Sequence, residues 1–448
     1  MRYSFRVSQF TMRRFGLFAI CASQQRFAIA LSVVSLMGLF QVFAIPPTQS
    51  LMAQVPPSPT DAVLEWNTIA QASVLAASAP APQQYRSLAI VHTAIFDAVN
   101  AIDRRYTPYA YKAKAPSGTS ALATVASTAH EVLVKLYPLQ QPALDAALTK
   151  SLSAITDGQP KADGIKLGKT VADQFLALRK NDNANNKVEY KAEKGTGVWQ
   201  PTPPLFLPAL LPHWDTVPPF ALKSADQFKI PQPLALNSDE YIRELNEVKR
   251  LGGKSSTART PDQTALAIWS AVPPAVLWNT TAQAAAIANN NNILDNARLF
   301  ALLNIGGLDA YIAGYKVKYD HKLWRPVVAI PNADQLKNSA LTPDPNWESL
   351  IVTPNHPDYI SGHTVSAGAE EQILKGFFGK DAVKATVIFP ANAGVPRSFT
   401  SFSQITNDLI EARILGGVHI RSSDVQGAVL GRQVGDYISK TALLPLKG

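Results

Sequence analysis

From Gln54 onwards apolar residues recur at three- and four-residue spacing. The spacing predicts helices over 58–78, 84–102, 118–137, 140–156 and 162–179. It predicts further helices over 236–251, 261–270, 277–289, 293–319, 362–377, 402–417 and 424–441. Few stretches alternate in the two-residue period of a strand. Thr260-Pro261-Asp262-Gln263 is a helix start, with a Thr cap, Pro at the first position and Gln at the third. The period is lost between Asn181 and Pro233, where nine prolines stand among Trp199, Phe206, Trp214 and Phe220. Prolines at that density forbid a continuous helix or inner strand. A long aromatic-bearing loop of this kind reads as a lid or binding segment. Gly252-Gly253-Lys254-Ser255 lacks the preceding glycine of a phosphate loop and reads as a turn. Asn289 to Asn292 reads as a helix break.

Composition sharpens this picture in one region. The chain has 448 residues, 46% hydrophobic and 17% charged, the balance of a folded protein with a sizeable core. Its formal charge of +9 misleads, because residues 1–53 hold five arginines and no acid. The remaining 37 Lys and Arg face 33 Asp and Glu, which leaves +4 and no basic run for a nucleic acid. Residues 27–45 form an apolar stretch behind that basic flank, followed by Pro46-Pro47 and a small-residue site at Ala53. Residues 1–53 therefore read as an export signal, with a retained anchor as the alternative. The expected location is periplasmic or extracellular. Cys21, Met1, Met12, Met37 and Met52 are the only sulfur residues, and all precede Ala53. The exported part would offer a mild oxidant neither thiol nor thioether.

Candidate chemistry gathers near the C-terminus in three short clusters. Lys318 is followed by Arg325-Pro326, and Pro326 pushes Arg325 out of the α region so that its side chain can turn back towards Lys318. Two such cations repel unless an anion sits between them. Ser361-Gly362-His363 opens an apolar helix, where Ser361 can cap and Gly362 lets an anion approach free N–H groups. His363 is then placed for proton transfer. Arg413 and His419 frame Gly416-Gly417-Val418, and Arg413 can bind oxyanion oxygens in bidentate fashion. His419 can act as nucleophile or ligand if a carboxylate holds its other ring nitrogen, with Asp424 as the nearest candidate. Each cluster alone also fits a bland reading: a solvated cation pair, a capped helix, a satisfied core histidine.

Together the clusters resemble the tripartite signature of vanadium-dependent haloperoxidases and of the type-2 phosphatidic acid phosphatase superfamily, which includes bacterial class A acid phosphatases. KYDHKLWRPVVAI, HPDYISGHTVSAGAEE, RILGGVHIRSSD, LGGKSSTARTPDQTALAIW and YRSLAIVHTAIFDAVNAI are similar to the haloperoxidase branch, over about residues 62–440. Ile360, Ala412 and the five-residue gap from His419 to Asp424 depart from the pattern. The resemblance implies an all-α fold of two four-helix-bundle halves in one globular catalytic unit. Residues 54–235 would be the N-terminal half with the Pro-rich lid, and 236–448 the half carrying the oxyanion site. It implies that Lys318, Arg325, Ser361, Gly362 and Arg413 bind vanadate, that His419 coordinates the vanadium, and that His363 and His419 are catalytic. Hydrogen peroxide would oxidise a halide there, with a small organic acceptor as a possible further partner. The same atoms would serve a phosphatase working through a phosphohistidine on His419, and binding without catalysis is a third reading. Trp214, Phe220, Trp324 and His321 are the candidates for the halide or substrate side, and Asp309 for a buried partner of an arginine.

Overall fold

The computed structural model describes residues 61–388 and 396–446. The leader therefore lies outside the described residues. Helices dominate. The first group is α1 (Ala62–Ala76), α2 (Ala81–Ile102), α3 (Ala121–Leu136), α4 (Gln141–Ser153) and α5 (Gln159–Leu178). The second is α6 (Asp239–Leu251), α7 (Pro261–Trp269), α8 (Pro274–Ala288), α9 (Ile293–His321), the single turn α10 (Pro326–Ala329), α11 (Gly362–Phe378), α12 (Phe402–Leu415) and α13 (Arg421–Thr441). The expectation of helix throughout needs one correction. Strands β1 (Ala382–Val387) and β2 (Arg397–Ser401) pair as an antiparallel hairpin between α11 and α12. Its β1 residues alternate between exposed and buried, a two-residue pattern that sends Val383, Ala385 and Val387 inward.

α9 organises the molecule. Asn292 caps it by accepting the N–H groups of Leu294 at 3.1 Å and Asp295 at 3.0 Å. Nearly every residue from Leu294 to Tyr315 is buried, because α2, α11 and α13 all pack against the helix. A helix hydrophobic all round is the sequence form of such a central element. α3 packs on both α2 and α5.

Two buried carboxylates make matching clasps. Asp97 on α2 accepts the consecutive backbone N–H groups of Tyr109, Ala110 and Tyr111 at 2.6–2.7 Å. Asp309 on α9 accepts those of Phe220, Ala221 and Leu222 at 2.7–2.9 Å. The Tyr109 hydroxyl then donates to the Phe220 carbonyl at 3.0 Å and ties the two clasps together. Asp309, expected as a buried partner of an arginine, forms no ion pair among the described residues; it fastens the Pro-rich segment through three amides, with Arg179 favouring its charge from nearby.

That segment is a strap bonded to the backbone beneath it. Trp199 N–H donates to the Lys322 carbonyl at 2.6 Å, and Trp324 N–H to the Gly197 carbonyl at 2.8 Å. Leu210 N–H donates to the Asn355 carbonyl at 2.8 Å, and the Tyr319 hydroxyl to the Leu210 carbonyl at 2.6 Å.

Glycine sets the close contacts that hold the C-terminal clusters. A side chain at Gly431 of α13 would lie 2.1 Å from the Val365 carbonyl of α11, so only glycine admits this approach. The starts of the two helices are thereby joined, and Ser361 N–H donates to the Ser423 carbonyl at 2.9 Å. Gly417, at φ +79°, packs backbone to backbone on Gly252, where an added Cβ would meet the Gly252 carbonyl at 2.4 Å. The Gly252-Gly253 turn thus seats the loop that carries His419. Among the described residues no helix is long and apolar enough to cross a membrane.

Candidate active site

Each cluster is placed by an identifiable local rule. Lys318 sits in the last turn of α9, where a cation favours the helix dipole, and Lys322 ends the helix in the left-handed region. Pro326 opens α10 and leaves Arg325 extended, at φ −89° and ψ 155°, so its side chain turns back to the pocket. Ser361 occupies the cap position of α11, yet its hydroxyl makes no capping bond. Arg413 ends α12, and Gly416-Gly417 then turn the chain so that His419 follows it into the same space.

The three cations converge and all are buried. Lys318 Nζ donates to the carbonyls of Pro357 at 2.7 Å and Asp358 at 3.1 Å. Arg325 donates from Nε to the His356 carbonyl at 2.8 Å and from Nη1 to the Val418 carbonyl at 2.5 Å. Its Nη1 also stands 3.1 Å from His419 Nε2, and its Nη2 3.0 Å from His356 Nδ1. Arg413 Nη1 reaches the Ser270 hydroxyl at 3.3 Å. Among the described residues none of the three forms an ion pair with a carboxylate. Burial holds Lys318 well below the usual lysine range, and Arg325 and Arg413 push it further down against the pull of Asp358 and Asp424. Burial lowers Arg325 and Arg413 to about 10. Positive charge here is undercompensated, and a bound anion would relieve all three groups at once.

The neutral partners complete the pocket. Among the described residues Arg413 Nε meets no protein partner at hydrogen-bond distance, and the Ser361 hydroxyl stands by the Asp424 carboxylate. Burial, then Arg413, Arg325 and Lys318, hold the His363 imidazole well below its ordinary value, and its ring is part-exposed. Burial and the same three cations likewise depress His419. His356 joins them. It is tilted against Tyr315 with ring centres 5.7 Å apart and is held well below its usual range by burial, Lys318 and Arg325. The sequence shows His356 only as the first residue of HPDYISGHTVSAGAEE, with no role of its own.

The partner of His419 is a correction. Asp358, not Asp424, forms the hydrogen bond to His419 Nδ1. The Ile420 N–H lies 3.5 Å from Asp358 Oδ2. Ile420 is extended before α13 begins, so His419 precedes the helix while Asp424 lies inside its first turn and faces α11. There Asp424 is the principal counter-charge of Arg413, close enough to Ser361 for the hydroxyl to favour its ionised form. Burial nevertheless raises Asp424 well above the carboxylate range. The available signal for Asp358 was an acid three residues before Ser-Gly-His.

Four aromatic candidates for the substrate side take other places. Trp324 is buried and donates from Nε1 to the Tyr241 hydroxyl at 2.6 Å. Phe220 lies under the Arg179 guanidinium, 3.6 Å from ring centre to carbon, at the Asp309 clasp. Asp309 is nine residues before Lys318, about 13 Å along α9, so Phe220 is remote from the cations. Trp214 is fully buried in a short 3₁₀ turn, Trp214–Thr216, packed on α9. His321 packs edge-on against Tyr359 at 5.7 Å, and the charges it feels are Asp320 and Lys316 rather than the pocket.

Fold and site define a mainly helical protein with a buried pocket lined by three cations and three imidazoles. A description of the second helical-bundle domain of vanadium chloroperoxidase matches residues 298–448. Vanadium chloroperoxidase of Curvularia inaequalis is 26% identical over 372 residues, 66% of this chain and 61% of that protein's length. The match therefore spans less than two thirds of that relative. The crystal structure of a bacterial vanadium-dependent iodoperoxidase superposes with TM-score 0.74 at 23% identity, over 86% of this chain and 97% of that one. A bacterial vanadium-dependent chloroperoxidase follows in its apo form, with TM-score 0.67 at 16% identity over 81% and 94% of the two chains. These structures share the fold. The chain is thus similar in sequence to vanadium chloroperoxidase and shares the fold of bacterial vanadium-dependent haloperoxidases.

Proposed function

We propose that the protein is a vanadium-dependent haloperoxidase, oxidising a halide with hydrogen peroxide to a hypohalous product. The observation that carries this reading is the convergence of Lys318, Arg325 and Arg413, buried and without ion pairs among the described residues, on two imidazoles and a helix N-terminus. Binding alone would need the cations and not the histidines.

The residues fit a tetrahedral oxyanion. Three cations supply charge-assisted bonds, and among the described residues Arg413 Nε is a donor without a protein acceptor. The first-turn N–H groups of α11 lie beside the bare Cα of Gly362. Vanadate held there would supply the Lewis-acidic centre at which peroxide becomes reactive towards halide. His419 would ligate through Nε2, because Asp358 engages Nδ1 and so fixes the tautomer. His363, neutral and part-exposed at the mouth, would accept a proton from incoming peroxide and return one to the leaving oxygen. His356 would hold the Arg325 fork in plane.

The finer organisation belongs to the same proposal. Residues 1–53 would be removed on export, and 54–235 and 236–448 would form two helical-bundle halves, with action in the periplasm or outside the cell. The N-terminal residue of the mature protein tests the first of these.

A phosphatase using a phosphohistidine on His419 would draw on the same atoms. Paired assays separate the two after dialysis against chelator. One adds orthovanadate, peroxide and bromide or iodide with a halogen-trapping dye, and the other a chromogenic phosphate ester without vanadate. Vanadate-dependent halogenation, lost in His419→Ala, is the expected result. Ester hydrolysis that vanadate inhibits would replace the reading with a phosphatase.

A further inference from the structure

The wall of the pocket on the α9 side is a column of electron-rich rings. Tyr311, Tyr315 and Tyr319 stand at four-residue spacing, with ring centres 6.1 Å and 6.0 Å apart. Tyr85 extends the column past Tyr311 at 5.4 Å, and Tyr190 and Trp199 extend it past Tyr319 at 5.6 Å and 5.5 Å. Tyr315 is the member nearest the chemistry. Its ring packs on His356, whose Nδ1 touches Arg325, and Lys318 follows three residues later on the same helix. After Met52 the chain has no methionine or cysteine, so the groups that can keep an electrophilic halogen in a lasting carbon–halogen bond are aromatic rings.

We propose that Tyr315 is an internal halogen acceptor, a modification site at which the ring takes halogen from the hypohalous product formed beside it. This rests on the peroxidase reading above. The step balances without a further reagent. The positively polarised halogen of HOX forms a bond to the ring carbon ortho to the hydroxyl, the displaced ring proton leaves with hydroxide as water, and both electrons of the new bond come from the ring. Tyr315 would then receive halogen when no outside acceptor reaches the pocket first.

Burial keeps the Tyr315 hydroxyl neutral by pushing it well above the ordinary phenol value. A neutral, buried phenol is the poorer target for reagent arriving from solvent. Order of labelling is therefore diagnostic. The experiment compares two samples by peptide mass spectrometry. One is the vanadate-loaded full chain turning over peroxide and bromide without dye. The other is vanadate-free protein given limiting reagent hypobromite. In the first, bromine should appear on Tyr315 before the part-exposed Tyr111 and Tyr437. In the second, Tyr111 and Tyr437 should be labelled first, and Tyr315→Phe should remove the turnover label from its peptide. Labelling of Tyr111 and Tyr437 ahead of Tyr315 during turnover, or an unlabelled Tyr315 while a parallel dye sample is brominated, overturns the proposal alone. Absence of dye bromination overturns it together with the peroxidase reading.

Discussion

His419 Nδ1 is hydrogen bonded to Asp358 Oδ1, a residue 61 positions earlier in the chain. The bond joins the loop before α11 to the loop before α13, and it turns Nε2 of the same ring towards the cations. Partners of this kind typically change ligand affinity or activity about 10–100-fold when removed. Asp358→Asn should weaken vanadate-dependent turnover within that range by raising the vanadate concentration for half-maximal rate. Asp424→Asn should shift the vanadate requirement through Arg413 while leaving the His419 tautomer alone. A titration of initial rate against orthovanadate for the three proteins checks both.

The Gly252–Gly417 contact bears on the same ring from behind. Gly417→Ala would combine a positive φ with a Cβ 2.4 Å from a backbone carbonyl. Strain of that type costs on the order of 1–3 kcal/mol. The melting temperature should fall, and because His419 is two residues on, activity should fall further than stability alone explains. Thermal unfolding and rate measured well below the melting temperature separate the two effects.

How much of this could be read in advance depends on distance along the chain. The twelve long helices were legible because a 3.6-residue period is local. Lys318, Arg325, Ser361, Gly362, Arg413 and His419 were legible because each sits at a helix end with its own punctuation. Asp358 and His356 were not, since nothing local distinguishes an acid that meets a histidine 61 residues later from a solvated one. Asp309 misled for the same reason: its three amide partners lie 87–89 residues away. The β hairpin was missed because five- and six-residue strands give too few alternations to stand out.

Asp309 sets a pH dependence. Burial raises it to about 6 against the lowering by its three amides, from an ordinary value of 3.8. A carboxyl raised on folding contributes stability that is fully present below about pH 4 and lost as pH rises through about 6. At about 1.36 kcal/mol per unit the swing is about 3 kcal/mol. Asp309→Asn cannot titrate, so the stability of wild type minus variant should fall by roughly that amount between those limits. Chemical denaturation at pH 4, 5, 6 and 7 gives the comparison.

The Trp324 indole is spent on the buried Tyr241 hydroxyl. Trp324→Phe keeps the ring and leaves the buried Tyr241 hydroxyl without its donor, a loss of about 1–3 kcal/mol. Stability should fall while the ratio of bromide to iodide oxidation stays as in the wild type. A changed ratio would return Trp324 to the halide side.

The most direct measurement is a titration of orthovanadate into chelator-dialysed protein, followed by vanadium NMR. A single bound resonance at one equivalent, lost in Arg413→Ala and displaced by phosphate, is the result expected of three buried cations around one oxyanion. Free vanadate at every ratio, with a protein that remains folded, would contradict the account.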